Sequence, residues 1–194
     1  MKKGLLIIVS GPSGVGKGTV LKKVMDDRRL NLVFSISMTT RAIRDHEVDG
    51  KNYFFVSPEK FQQVVDEDGF LEHVEFVGNR YGTPKAYVEK LRQQGKNVVL
   101  EIEVEGAKQV MDRVRDQRLL TFFLIPPSLT ELKKRIVGRK TESEEVVKLR
   151  LDKAERELAE KFLYQYIILN DDPDRAAEEM RGIIYSKLTA RIIG

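Results

Sequence analysis

The chain has 194 residues, 41% hydrophobic and 33% charged, the balance of a globular domain with a real core rather than of a disordered or fibrous chain. It holds no cysteine, which excludes disulfides and thiolate metal sites and leaves His46 and His73 as the only imidazoles. The net charge of +4 comes from bases interleaved with acids, as in "ELKKR" and "KAERELAEK", a pattern of solvated helix faces that argues against a nucleic-acid partner.

The chain opens on two lysines and the short apolar run "LLIIVS" (5–10). Glycine-rich turn chemistry follows where a signal-peptide cleavage site would stand, so the run is expected to be a buried first strand. No apolar run approaches the ~18 residues of a bilayer span, and a cytoplasmic setting without a membrane partner is expected. Next comes "GPSGVGKGT" (11–19), then a segment of helical periodicity from Gly18 to Asp27.

Residues 34–83 carry short alternating pieces, "FSISMTT", "NYFFVS" and "FLEHVEFVGNRYGTP", with Gly50, Gly69, Gly78 and Gly82 at the expected turns. They predict a small β-rich insertion. Three further strands of buried character follow: "NVVLEIE" (97–103), "LTFFLIPP" (120–127) and "YIILND" (166–171). Helical segments are expected at Gly106–Arg115, Leu129–Val137 and Pro173–Arg191, the last with Asp172 as N-cap before Pro173. Residues 129–163 read as one long helical stretch dense in arginine. Strands alternating with helices predict an α/β fold, a parallel sheet core with helices on both faces.

Within 11–19 the spacing G-x-x-x-x-G-K sets Gly11, Gly16 and Lys17 between a strand and a helix. There, successive backbone N–H groups can wrap a phosphate, the lysine can reach its outer oxygens, and the helix N-terminus adds its positive end. A tight structural turn is the plainer reading. A dinucleotide fingerprint fails, because its third glycine would fall on Thr19. The base-reading N-K-x-D of G proteins is absent. Ser or Thr usually follows the lysine directly, whereas Gly18 stands here before Thr19; "GKGT" resembles the variant of nucleoside monophosphate kinases.

In "SISMTTRAIRDHEVDGKNYFFVS" (35–57), Arg41 and Arg44 are spaced to fork onto one phosphate, with the Tyr53 hydroxyl as a further donor. In isolation they would pass for surface arginines. However, the order and spacing of "GPSGVGKGT", "TTRxxRxxExxGxxYxFV", "EFVGNRYGTP", "LKKRxxGRxTES" and "ILNDD" resemble the guanylate kinase family from about Gly4 to Asp172.

The resemblance implies a P-loop core (1–33, 84–128 and 164–194), an acceptor-binding lobe (34–83) and a helical lid (129–163) in one domain. It implies phosphoryl transfer from ATP to GMP with Mg²⁺, both nucleotides being small-molecule partners. ATP would lie on Gly11, Pro12, Ser13, Gly14, Val15, Gly16, Lys17, Gly18 and Thr19, with Asn170 near the donor base. The GMP phosphate would sit on Arg41, Arg44, Tyr53 and Tyr81, and guanine on Ser37, Glu72 and Thr83. Chemistry supports the base reading independently, since one carboxylate accepts from both N1–H and the N2 amino group of guanine, which adenine cannot match. Lys17, Arg44, Arg135, Arg139 and Arg150 would be the catalytic cations.

The family's acidic pair, commonly Asp-x-Asp, is matched here by Glu101 and Glu103. Strand alternation would aim both carboxylates to one side. Glu101 would help hold the acceptor, and the pair with Thr19 would reach Mg²⁺ through water; a buried salt-bridge pair is the alternative. A non-catalytic scaffold with this fold, or a sibling kinase for another base, are the competing functions.

Overall fold

The apolar run after the first lysines forms β1 (Leu6–Ser10), and every residue of it is buried. The computed structural model describes residues 2–137 and 144–190. Helix α1 (Lys17–Met25) starts at the end of the glycine-rich loop, and β2 (Leu32–Phe34), β3 (Met38–Thr39) and β4 (Phe54–Phe55) are short. Then come α2 (Pro58–Asp66), β5 (Phe70–Phe76), β6 (Asn79–Pro84), α3 (Lys85–Gln93) and β7 (Asn97–Glu101). The chain continues through α4 (Val104–Arg113), β8 (Leu119–Ile125), α5 (Leu129–Val137) and α6 (Glu144–Ala159). It closes with β9 (Tyr166–Leu169) and α7 (Pro173–Thr189).

One sheet has strand order β2-β7-β1-β8-β9, and a smaller one has order β4-β3-β6-β5. The expected α/β architecture is present. Strands β8 and β9 pair in parallel, Phe122 opposite Tyr166 through Ile125 opposite Leu169. The smaller sheet is largely antiparallel: β5 and β6 form a hairpin with Glu72 opposite Thr83, and β3 meets β6 with Thr39 opposite Tyr81.

The chain divides into two compact units. The first comprises Val33–Leu100 and Glu105–Leu119 with the N-terminal residues to Leu6, and so contains the segment expected as a lobe. Phe61 of α2 and Phe70 of β5 are fully buried and stack at 4.6 Å between ring centroids, with His73 against both rings. His73 is therefore half-buried rather than at the surface. Strand β5 lies at the sheet edge, and the Gln109 amide of α4 covers it, donating to the His73 carbonyl and accepting from the His73 N–H, each at 3.1 Å. An edge strand covered in this way is protected from pairing with other chains.

The second unit comprises Ile7–Leu32, Glu101–Val104 and the chain from Leu120 onward. Helices α5 and α6 pack through Leu132, Ile136 and Ala154, with Val147 and Leu151 at the margin. Helix α7 is capped as expected: the Asp172 carboxylate accepts from the N–H groups of Asp174 (2.8 Å) and Arg175 (2.9 Å), and Pro173 takes the first turn.

The expected β-rich insertion also holds α2, started by the Ser57 hydroxyl, which accepts from the Lys60 N–H, and by Pro58. Helix α3 fills residues with no assigned element. The strand expected over 97–103 stops at Glu101, so strand alternation does not apply to Glu103. Arg191, the expected end of the last helix, lies outside the described residues.

Candidate functional site

In the second unit the chain leaves β1 through Gly11–Gly16 and enters α1 at Lys17. Gly11, Gly14 and Gly16 all have positive φ, and Gly16, at φ 97°, is the N-cap of α1. That conformation strains any residue with a Cβ. A Cβ at Gly16 would also lie 2.7 Å from the Asn170 Nδ2, so the position excludes a side chain twice over. Two of the loop carbonyls are taken by its own lysine: the Lys17 ammonium donates to the Gly11 (2.6 Å) and Pro12 (3.3 Å) carbonyls. What remains for a ligand is backbone N–H and the positive start of a helix, an anion site.

Asn170, 2% exposed and just beyond β9, braces this loop from behind. Its Nδ2 donates to the Val15 carbonyl at 2.7 Å, while its Oδ1 is buried without a partner among the described residues. Arg135 of α5 adds a second brace, its Nη1 donating to the carbonyls of Val15 (3.3 Å) and Asn170 (3.2 Å). Both residues thus act on the loop's shape. Pro12 and Val15 are buried, Ser13 is half-buried, and Gly18 and Thr19 are exposed in the first turn of α1. Arg150 lies half-buried on α6. Arg139 lies outside the described residues.

Lys17 has its pKa lowered by burial, opposed by the negative charges of Glu101, Glu157 and Glu103. Glu101 ends β7 beside Gly18, where a Cβ would stand 3.9 Å from its Oε1. Partial desolvation raises its carboxyl pKa against the pull of Lys17. Glu103 turns elsewhere: its Oε2 accepts from the Lys153 ammonium of α6 at 2.7 Å. The strand alternation that would aim both carboxylates to one side therefore does not reach Glu103, since the strand ends at Glu101. The ion pair of Glu103 with Lys153 is exposed, not the buried pair of the alternative. Glu157 of α6, 9% exposed, stands 3.6 Å from the same ammonium and was missed as a neighbour of Lys17. It lies seven positions after Arg150, two turns along the same helix face.

Among the described residues no group of three or more His, Cys, Asp or Glu is arranged to hold a metal ion. The Thr19 hydroxyl and the Glu101 carboxylate are hard oxygen donors beside the loop. Such a set suits an ion carried by phosphate oxygens and reached through water, not one caged by protein.

In the first unit Arg41, Glu47, Tyr53 and Tyr81 come together. The Arg41 guanidinium lies 5.4 Å from the centroid of the Tyr53 ring, which meets Tyr81 edge-on at 5.9 Å. Its two Nη atoms donate to the Glu47 carboxylate at 3.0 and 2.7 Å, and its Nη1 also reaches the Ala42 carbonyl. The expected fork of Arg41 is thus directed at a carboxylate of its own loop. Arg44 is exposed and is bonded through its backbone, its N–H donating to the Glu47 Oε2 at 3.0 Å and its carbonyl accepting from the Glu47 N–H at 2.9 Å. Glu47 was quoted in the motif without a role; its spacing to Arg41 follows no helix or strand rule that would have flagged the pair.

Glu72, 4% exposed, is not a surface acid. It accepts at 2.6 Å from the hydroxyl of Thr83, its cross-strand partner. Burial raises its carboxyl pKa, and the Thr83 hydroxyl and N–H oppose the rise. Its other oxygen rests on Gly106 in the first turn of α4, where a Cβ would stand 2.9 Å away. Ser37 lies half-buried beside β3, its carbonyl accepting from the Phe54 N–H at 2.9 Å. A carboxylate buried so, with one hydroxyl beside it, is a hydrogen-bond acceptor still short of donors.

The family model for guanylate kinase matches residues 3–187. Among curated proteins, the guanylate kinase of Mycoplasma capricolum subsp. capricolum is 50% identical over 185 residues, covering 95% of this chain and 62% of that protein. The guanylate kinase of Malacoplasma penetrans is 49% identical over 187 residues, covering 96% of this chain and 95% of that protein. The chain spans the same 62% share of the Mycoplasma mycoides relative. Among solved structures, guanylate kinase from Anaplasma phagocytophilum superposes with a TM-score of 0.74 at 30% identity, covering 98% of this chain and 89% of that one.

Proposed function

The chain belongs to the guanylate kinase family, and on that premise we propose that it transfers the γ-phosphoryl group of ATP to GMP, and to dGMP, giving ADP and the nucleoside diphosphate. The observation that carries the acceptor is the buried Glu72 on the Thr83 hydroxyl. Guanine supplies the two donors this carboxylate lacks, on N1 and on the N2 amino group; adenine brings an acceptor to the same place. An unpaired buried carboxylate costs a few kcal/mol, on the order of 10²-fold or more in discrimination. Ser37 and Thr83 complete the base site.

ATP lies with its phosphates in the loop Gly11–Thr19. Lys17 leaves the loop carbonyls for the β- and γ-phosphate oxygens, and Asn170 and Arg135 keep the loop in shape. Mg²⁺ fits the oxygen donors of Thr19 and Glu101 through water, and when bound it offsets charge on the donor phosphates. The acceptor phosphate lies on Arg44, Tyr53 and Tyr81 with Arg41 beside them. No covalent enzyme intermediate is required. Transfer is in line, and what the chain supplies is position, positive charge from Lys17, Arg44, Arg135, Arg139 and Arg150, and exclusion of water.

No helix among the described residues is long and apolar enough to cross a membrane. A cytoplasmic place in purine nucleotide metabolism suits soluble substrates of this kind, and no nucleic-acid partner is invoked.

An ADP-release assay with ATP and GMP, dGMP, IMP, AMP or UMP in turn tests the reading. GMP and dGMP should turn over fastest, with IMP, which lacks the N2 amino group, behind. Preference for AMP would break the base argument, and no turnover with any acceptor would break the activity.

A further inference from the structure

The Arg41 to Glu47 loop holds an ion pair that phosphate binding does not require. Glu47 receives both Nη atoms of Arg41, at 3.0 and 2.7 Å, in the two-pronged geometry that a carboxylate shares with a phosphate. The same Oε2 accepts the Arg44 N–H at 3.0 Å, and the Glu47 N–H returns to the Arg44 carbonyl at 2.9 Å. One carboxylate thereby ties the side chain of the first arginine to the backbone of the second. The guanidinium it holds lies against two adjoining aromatic rings, 5.4 Å from the Tyr53 centroid and 5.6 Å from that of Phe55, with both partners of the ion pair largely shielded from solvent. The charge is permanent over any working pH, since the Arg41 bonds hold the Glu47 carboxyl down at about 2.

We propose that Glu47 is the positioning residue of the acceptor-phosphate pocket: it fixes Arg41 against Tyr53 and Phe55 and sets the Arg44 backbone, so that the Arg44 guanidinium meets the phosphate. The division of labour follows from the bonds. Arg41, with its fork on Glu47, is the anchored cation that lends positive potential and holds the Tyr53–Tyr81 pair. Arg44 carries no side-chain hydrogen bond or ion pair among the described residues and is the cation available to grip. A carboxylate that merely occupied the phosphate's place would oppose binding, and the two roles give opposite signs on removal.

This inference rests on the acceptor reading above, and its test separates the two. Glu47→Gln, Glu47→Ala and Glu47→Asp are assayed with ATP and GMP beside the unaltered chain, together with thermal unfolding. KM for GMP should rise about tenfold in Glu47→Gln and further in Glu47→Ala, with partial recovery in Glu47→Asp, while KM for ATP stays within about twofold. A fall in KM for GMP would show Glu47 to be a competitor and overturn the proposal. So would unchanged KM for GMP, or equal rises in both KM values that follow the loss of thermal stability. If the unaltered chain does not turn over GMP, the acceptor reading fails, and the proposal fails with it for that separate reason.

Discussion

In the loop at Gly11–Gly16 the groups offered to an anion are backbone N–H groups, and the side chains that matter most are the ones left out. In the pocket around Arg41 and Glu72 the offered groups are side chains, and each is held by a neighbour from its own unit: Arg41 by Glu47, Glu72 by Thr83. Backbone amides recognise charge and curvature and cannot tell one nucleoside from another. Pre-paired side chains recognise a pattern of donors and acceptors. On the proposed function the two regions would divide recognition between a general phosphate grip and a specific reading of the acceptor, and substitutions in each should fail differently.

The largest effect is expected at Lys17. Lys17→Ala removes the one side chain of the loop that must move, and kcat should fall by about 10²–10³-fold. Acceptor preference should be unchanged and the circular dichroism spectrum intact. A variant with near-normal kcat would erase the contrast between the regions.

Glu72→Gln should act on the other side. The amide cannot accept from both guanine donors, and kcat/KM for GMP should drop roughly 10²-fold. Its stability should move in the opposite direction. The folded-state pKa of Glu72 is raised above its ordinary value by burial. Its contribution to stability is thus fully present below the unfolded pKa of about 4.5 and is lost as pH rises through the higher folded value. Urea midpoints followed upward from pH 4.5 should show Glu72→Gln gaining on the unaltered chain. A gap that stays constant with pH would mean the carboxyl is not desolvated.

The smallest effect separates the frame of the acceptor pocket from the pocket itself. The β5–β6 hairpin turns through Val77 (φ 49°) and Gly78 (φ 69°), with Phe76 opposite Asn79. A two-residue turn with positive φ at both positions favours Asn-Gly, and a β-branched, exposed Val77 is strained there. Val77→Asn should raise stability by about 1 kcal/mol with KM for GMP unchanged, read by chemical denaturation and kinetics. A shift in KM would mean that the turn and the pocket are not separable.

Much of this was legible before the coordinates. The loop was, because glycines that exclude side chains and a lysine at fixed spacing leave a linear pattern. Strands β1 and β8 were, because burial on both faces gives unbroken apolar runs, and the edge strand β9 was by its apolar run although only Ile168 in it is buried. Helix α2 was not, although Ser57 and Pro58 are a good start signal, because the turns and alternation around it dominated the reading. The strand expected to run to Glu103 failed on a boundary, since nothing in "NVVLEIEVEG" marks that the strand stops at Glu101 and a helix starts at Val104. The partner of Arg41 lies in its own loop at a spacing that no periodicity marks, that of Glu72 depends on the hairpin register, and that of Asn170 on a chain crossing. Val15 and Asn170 are 155 positions apart, and local periodicity carries no trace of such a pair.

Gly106 has a consequence for how this protein can change. A Cβ there would come within 2.9 Å of the Glu72 Oε2, so a side chain acquired at this point of α4 would have to displace the carboxylate, and the acceptor reading proposed above can be altered from the helix as well as from the strand.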